Sequence, residues 1–151
     1  METLTYSIEI AAPAKKVWET MLNKDTYEQW VSRSWPSSSY DGQWNKGAKI
    51  KFIGPNGAGT LAELVEFKPY EEVLARHIAL LGPNGEEDRT SDTALGWIGI
   101  AEGYKFAETN GKTTLTVTIE TKPQWRDMFD EGWPGALEDL KRITEGKLAT
   151  A

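Results

Sequence analysis

The sequence contains no cysteine, which removes disulfides, thiolate metal ligands and thiol nucleophiles together. Its single histidine is His77, so only carboxylates remain as ligands and no metal site is expected. No stretch approaches the roughly 18 apolar residues that a membrane span requires. The opening METLTYSIEI lacks the basic segment and apolar run of a secretory signal, so a cytoplasmic protein is expected. Positive charge is scarce as well. The net charge is −6 and no Lys/Arg cluster occurs, which argues against a nucleic-acid partner. There is no Gly-x-Gly-x-x-Gly turn, phosphate-binding loop, Gly-x-Ser-x-Gly elbow or Ser-His-Asp order, and no cofactor is expected.

What the sequence does have is tryptophan, seven residues among 151. These large, rigid, amphipathic side chains suit a wide core or the wall of a ligand pocket. The length fits a single domain over 1–151, and a monomer is expected.

Periodicity gives the order of elements. Thr3 to Ile10 alternates, with Leu4, Tyr6, Ile8 and Ile10 on one face, as a half-buried strand does. Pro13 then opens a helix to about Leu22 with Val17, Trp18, Met21 and Leu22 as its stripe. Asp25 and Glu28 read as a capping box for a second short helix through Val31, burying Tyr27, Trp30 and Val31. Short strands follow at 39–44, 49–53, 60–68 and 73–81. Tight turns separate them, including Gly54-Pro55-Asn56-Gly57 and Gly82-Pro83-Asn84-Gly85. Residues 86–93 read as a polar, mobile loop, and Ser91 or Asp92 as the cap of a helical turn ending near Trp97. Ile98 to Glu108 and Lys112 to Thr121 form a hairpin at Asn110-Gly111. Trp125, Met128, Phe129, Trp133, Leu137, Leu140 and Ile143 mark a long C-terminal helix ending near Gly146 with a frayed tail. Pro134 predicts a kink or restart inside it. The connections are short, so successive strands pair antiparallel. The helix must bury its stripe on the inner face of the sheet, and the space between them is the natural pocket.

The segment Ile8-Glu9-Ile10-Ala11-Ala12-Pro13-Ala14-Lys15-Lys16-Val17-Trp18 resembles the strand-to-helix signature of the START-like (SRPBCC) superfamily. Tyr27 to Trp30, Gly42-Gln43-Trp44-Asn45-Lys46-Gly47 and Glu66-Phe67-Lys68-Pro69 resemble the branch named after the activator of Hsp90 ATPase. Tyr104-Lys105-Phe106, the stretch from Gly111 to Val117, Trp133-Pro134 and Leu137 to Lys141 continue the likeness. It implies an α+β helix-grip fold like that of the birch pollen allergen. About six or seven antiparallel strands would curve around the C-terminal helix, with two short helices after the first strand. Members of the superfamily bind hydrophobic small molecules, act as cyclases or aromatases, or assist Hsp90.

Candidate site residues are polar groups in phase with apolar ones, since a buried charge must be paired, neutralised or used. Glu102 shares a face with Ile98, Ile100, Tyr104 and Phe106. It is a candidate ligand anchor or general base, or else a salt-bridged residue at the cavity mouth. Glu63 lies between Leu61 and Val65 while Glu66 takes the other face, and register decides which is inside. Arg76, between Leu74 and Ile78, is expected to point inward and pair with a carboxylate or anchor a ligand. His77 falls with Val73, Ala75 and Ala79 on the small-residue side. Trp30, Trp44, Phe52, Trp97, Tyr104, Phe129 and Trp133 are expected around the cavity, with the loop from Gly82 to Trp97 as a lid. Three functions follow. The first is binding of an apolar or aromatic small molecule. The second is cyclase- or hydrolase-type chemistry with Glu102 or His77 as the acid-base group. The third is contact with a chaperone partner through an apolar patch on the outer sheet face.

Overall fold

The computed structural model describes residues 2–54 and 56–146. Pro55 of the first tight turn and the tail after Gly146 therefore lie outside the described residues. Strand β1 (Glu2–Ile10) leads into helices α1 (Ala14–Leu22) and α2 (Lys24–Val31). Strands β2 (Ser39–Asp41), β3 (Lys49–Ile53), β4 (Gly59–Lys68) and β5 (Glu72–Leu81) follow. The short strand β6 (Glu87–Asp88), helix α3 (Asp92–Trp97), strands β7 (Ala101–Thr109) and β8 (Lys112–Thr121) and helix α4 (Arg126–Thr144) complete the order. The sheet runs β1-β8-β7-β5-β4-β3-β2, with β6 attached to β5. Every pairing is antiparallel. The sheet curls as a half-barrel around α4, the helix-grip arrangement.

Local chemistry explains most boundaries. In β8, Leu115, Val117 and Ile119 are buried while Thr114 is exposed and Thr116 and Thr118 are half-buried, so the alternation sets one face unambiguously. The β7–β8 turn places Asn110 at φ 54° and Gly111 at φ 78°, the pair of left-handed residues that a two-residue hairpin requires. Asn23, not Asp25, caps α2 by accepting the Asp25 amide at 3.1 Å. Asn caps as well as Asp, and Asp25 then sits in the first turn, where its charge complements the helix dipole. Ser91 caps α3 by accepting from the Ala94 amide at 3.1 Å. Helix α1 has no local side-chain cap. The carboxylate of Glu108, at the far end of β7, accepts its Ala14 amide at 2.7 Å instead.

Three expectations need correction. Helix α4 runs through Pro134 as one element, without a restart. Residues 33–34 hold it on either side, with Ser34 Oγ donating to the Gly132 carbonyl at 2.6 Å and Arg33 Nη2 to that of Gly135 at 2.9 Å. Strand β7 starts at Ala101 rather than Ile98, because Ile98 closes α3 and Gly99 turns the chain at φ 90°. Residues 86–93 are more than a plain loop: β6 pairs with β5, and Asp88 accepts from the Thr90 and Ser91 amides and from Ser91 Oγ.

The core has two ends joined by Trp133. At the α1 end, Trp18 meets Phe67, Phe106 and Tyr70 edge-on, with ring centroids 5.0, 5.3 and 5.9 Å away. Trp133 on α4 touches Tyr6 of β1, Trp30 of α2, Trp35 and Tyr104 of β7. Beyond it, toward α3, the packing opens into a cavity.

Candidate functional site

A cavity of about 210 Å³ lies between the sheet and α4 at the α3 end. Helix α2 contributes Tyr27, Trp30 and Val31, the following segment Trp35 and Ser38, β2 Ser39, and α4 contributes Phe129 and Trp133. The sheet supplies Phe52, Ile53, Thr60, His77, Glu102, Tyr104, Ile119 and Glu120, with Gly54 and Ile100 beside its strand ends. Trp97 stands at the side, stacked on Trp125 at 4.8 Å and edge-on to His77 at 5.4 Å. Small residues flank two of these lining groups in the sheet register. Ala62 is paired with His77, and Ala75 with Glu102 on the neighbouring strand.

Three ionisable side chains meet on the sheet wall. Tyr104 donates its hydroxyl to Glu102 Oε1 at 2.7 Å, and His77 Nε2 stands 4.0 Å from Glu102 Oε2. His77 is 5 % exposed, and its Nδ1 is buried with no hydrogen-bond partner. Burial disfavours the charged form of each group. It raises Glu102 from 4.5 to about 7, against a smaller opposite pull from the Tyr104 hydroxyl, and lowers His77 from 6.5 to about 4. Tyr104 is itself held well above its ordinary value, first by burial and then by the neighbouring Glu102 charge. The side chain of Glu102 keeps 18 % accessibility. A carboxyl near neutrality beside an uncharged imidazole can accept, donate or relay one proton. The 4.0 Å span between Nε2 and Oε2 also admits one ligand heteroatom about 2.8 Å from each.

The model of the family described as activator of Hsp90 ATPase homolog 1-like protein matches residues 11–145. The chain belongs to this family. Solved structures agree on the fold across the family's length. A Mesorhizobium loti protein, MLL2253, is 15 % identical with a TM-score of 0.73, over 98 % of this chain and 100 % of that one. A Staphylococcus epidermidis protein is 22 % identical at TM-score 0.70, over 99 % and 93 %. The Aha1 dimer from Colwellia psychrerythraea is 18 % identical at TM-score 0.67, over 96 % and 97 %. No curated protein matches the sequence. Among the described residues, no helix is long and apolar enough to cross a membrane.

Within this family member, the cavity brings together Trp30, Phe52, Trp97, Glu102, Tyr104, Phe129 and Trp133, all expected there. Three candidates stand elsewhere. Arg76 is exposed and donates to the Gly99 carbonyl at 2.7 Å, because β5 turns Val73, Ala75 and His77 inward and the bulkier Leu74 outward. Glu63 pairs with Arg76 across the strands and shares its outer face. Glu66 pairs with outward Leu74, since β4 carries an extra residue, Val65, between Leu64 and Glu66 that resets its phase. Neither glutamate faces the cavity. Trp44 stands behind Phe52, 6.2 Å from it, and packs on the core. The segment from Gly82 to Trp97 is no lid, since Trp97 alone of it lines the cavity. His77, placed on the small-residue side by sequence, lies inside because that side is the concave one. Tyr27 and Trp35 also line the wall. Tyr27 shares a helical face with Trp30, a usable signal; Trp35 sits in an irregular segment and has none.

Proposed function

We propose that the chain binds an apolar, ring-bearing small molecule between the sheet and α4. The observation that carries this reading is a wall of aromatic rings from α2, β3, α3, β7 and α4 around about 210 Å³. At about 30 Å³ per liquid water, that is room for about seven waters. Water among rings with few polar partners is weakly held, so an apolar ligand displaces it favourably. The rings are rigid and already placed, which lowers the ordering cost of binding. Trp30, Phe52, Trp97, Phe129 and Trp133 serve as the stacking surface, and Glu102 with Tyr104 holds a polar end.

The test is titration with a two-ring probe, 2-methylnaphthalene, followed by tryptophan fluorescence. Native mass spectra of the purified protein, compared with denatured ones, reveal any molecule retained from the cell. Saturable quenching or a retained apolar compound is expected. A clean native mass together with no saturable response removes the reading.

Proton-transfer chemistry is the second reading, and one observation favours it: Glu102, at about 7, is near the ideal for a general base or acid at neutral pH. Glu102→Gln is nearly isosteric. It abolishes turnover of any substrate found while leaving apolar affinity in place; turnover that survives it eliminates Glu102 as the catalyst.

A further inference from the structure

The charges around the cavity are one-sided. Its described walls include the carboxylates Glu102 and Glu120 and no lysine or arginine. The basic residue that stands closest in β5, Arg76, points out of the sheet. A ligand carboxylate entering this space would meet Glu102 with no cation to balance either charge. A ligand cation meets the opposite situation. Aromatic faces carry negative quadrupoles that attract ammonium groups, and a carboxylate among such rings completes the pair.

We infer that the polar end of the ligand is a protonated amine carried on an aromatic or other apolar body, with its nitrogen against Glu102 and its carbons among the rings. The inference rests on the proposed small-molecule reading and names its ligand class. His77 completes the geometry. Its ring is buried beside Glu102, Nδ1 has no partner, and Nε2 is 4.0 Å from Oε2. A primary ammonium has more N–H donors than one carboxylate oxygen absorbs, and the uncharged imidazole offers a lone pair for a second. Burial keeps His77 uncharged down to about pH 4, so it does not repel the cation. The ionisable groups facing Glu102 from the packed elements are His77 of β5, Tyr104 of β7, Tyr27 of α2 and, at the cavity edge, Glu120 of β8. None is a cation at neutral pH.

Pairing requires Glu102 ionised. Its carboxyl sits near 7 in the empty cavity, so amine binding expels a proton below that pH. Amine affinity therefore rises about tenfold per pH unit up to about 7 and levels above it, while the amine stays charged to about pH 9.

Three probes with one ring system separate the possibilities: naphthalen-2-ylmethylamine, naphthalen-2-ylmethanol and 2-naphthoate, measured by calorimetry at pH 6 and 8. The amine is expected to bind at least tenfold tighter than the alcohol at pH 8, with the carboxylate weakest. The amine preference shrinks at pH 6 and disappears in Glu102→Gln. An alcohol that binds as tightly as the amine, or a carboxylate that binds tightest, overturns the inference and leaves the apolar-cavity reading standing. Failure of all three probes overturns both. The pH dependence is read on the unaltered protein, so the inference stays open to refutation even if Glu102→Gln fails to fold.

Discussion

The two ends of the core use the same materials for opposite purposes. At the α1 end, Trp18 is enclosed by Phe67, Tyr70 and Phe106 at edge-on distances, and nearby polar atoms are satisfied. Thr113 Oγ1, for example, donates to the Ala12 carbonyl at 2.7 Å. At the α3 end, Phe52 and Trp97 are half-buried, and His77 and Glu102, whose cross-strand neighbours include Ala62 and Ala75, have incomplete polar partners. One end converts aromatic area into stability. The other leaves that area uncovered and holds two ionisable groups out of water, both pushed toward their uncharged forms. Ring count alone does not distinguish a core from a binding site; small neighbours and unspent polar groups do.

The sharpest way to break this contrast is truncation. Trp18→Ala is expected to cost about 3–5 kcal/mol in urea unfolding, as loss of a fully packed ring does. Trp97→Ala is expected to cost well under half of that and to weaken apolar-probe binding instead. Equal costs would erase the distinction between the ends.

Protonation provides the next test. Between about pH 4.5 and 6.5 the folded protein keeps Glu102 and His77 both uncharged, whereas the unfolded chain carries one negative carboxylate and one positive imidazole. Both states then bind the same number of protons, and the stability slopes of the pair cancel. Each variant exposes the other half. With Glu102→Gln, only the lowered His77 remains: the native state binds fewer protons, so stability rises from about pH 4 to 6.5. With His77→Gln, only the raised Glu102 remains, and stability falls from pH 4.5 to about 7. Each change is about 3 kcal/mol at about 1.4 kcal/mol per pH unit. Variant and unaltered protein showing parallel pH–stability curves would mean that neither group is held uncharged.

Smaller effects come from enlarging matched valines. Val17 of α1 is fully buried at the filled end, and Val31 of α2 lines the cavity. Val17→Phe is expected to destabilise by about 1–3 kcal/mol through overpacking. Val31→Phe costs less because its ring has space to enter, and it competes with the probe. The smallest effect belongs to the outer face, where Glu63→Gln is expected to stay within about 0.5 kcal/mol and to leave binding unchanged.

How much of this was legible in the sequence depends on the strand. In β8 only one face is apolar, so its phase was unambiguous. Strict alternation makes both faces of β5 apolar, with Leu74, Ile78 and Leu80 on one and Val73, Ala75 and Ala79 on the other, and the extra residue Ile78 breaks that alternation after His77. Choosing the bulkier set as the interior sent Arg76 inward and left His77 on the small-residue face opposite. On β5 the concave side takes the smaller Val73 and Ala75, although on β7 and β8 it takes Tyr104, Phe106, Leu115 and Ile119. Glu102 was readable because Tyr104 and Phe106 continue its face. Glu63 and Glu66 were not, because a bulge changes phase without changing composition.

The pairing of β1 with β8 joins Glu2 to Thr121, and it constrains the order of events at the ribosome. The first strand to emerge must wait for the last one. At roughly 5–20 residues per second, that delay is on the order of ten seconds, during which the apolar face of β1 has no sheet to join. Helix α1 waits as well, since Glu108, which caps it, arrives only with the end of β7. Nascent chains halted before residue 112 are therefore expected to be protease-sensitive throughout β1 and α1, and chains extended beyond 121 and clear of the exit tunnel to become resistant in one step.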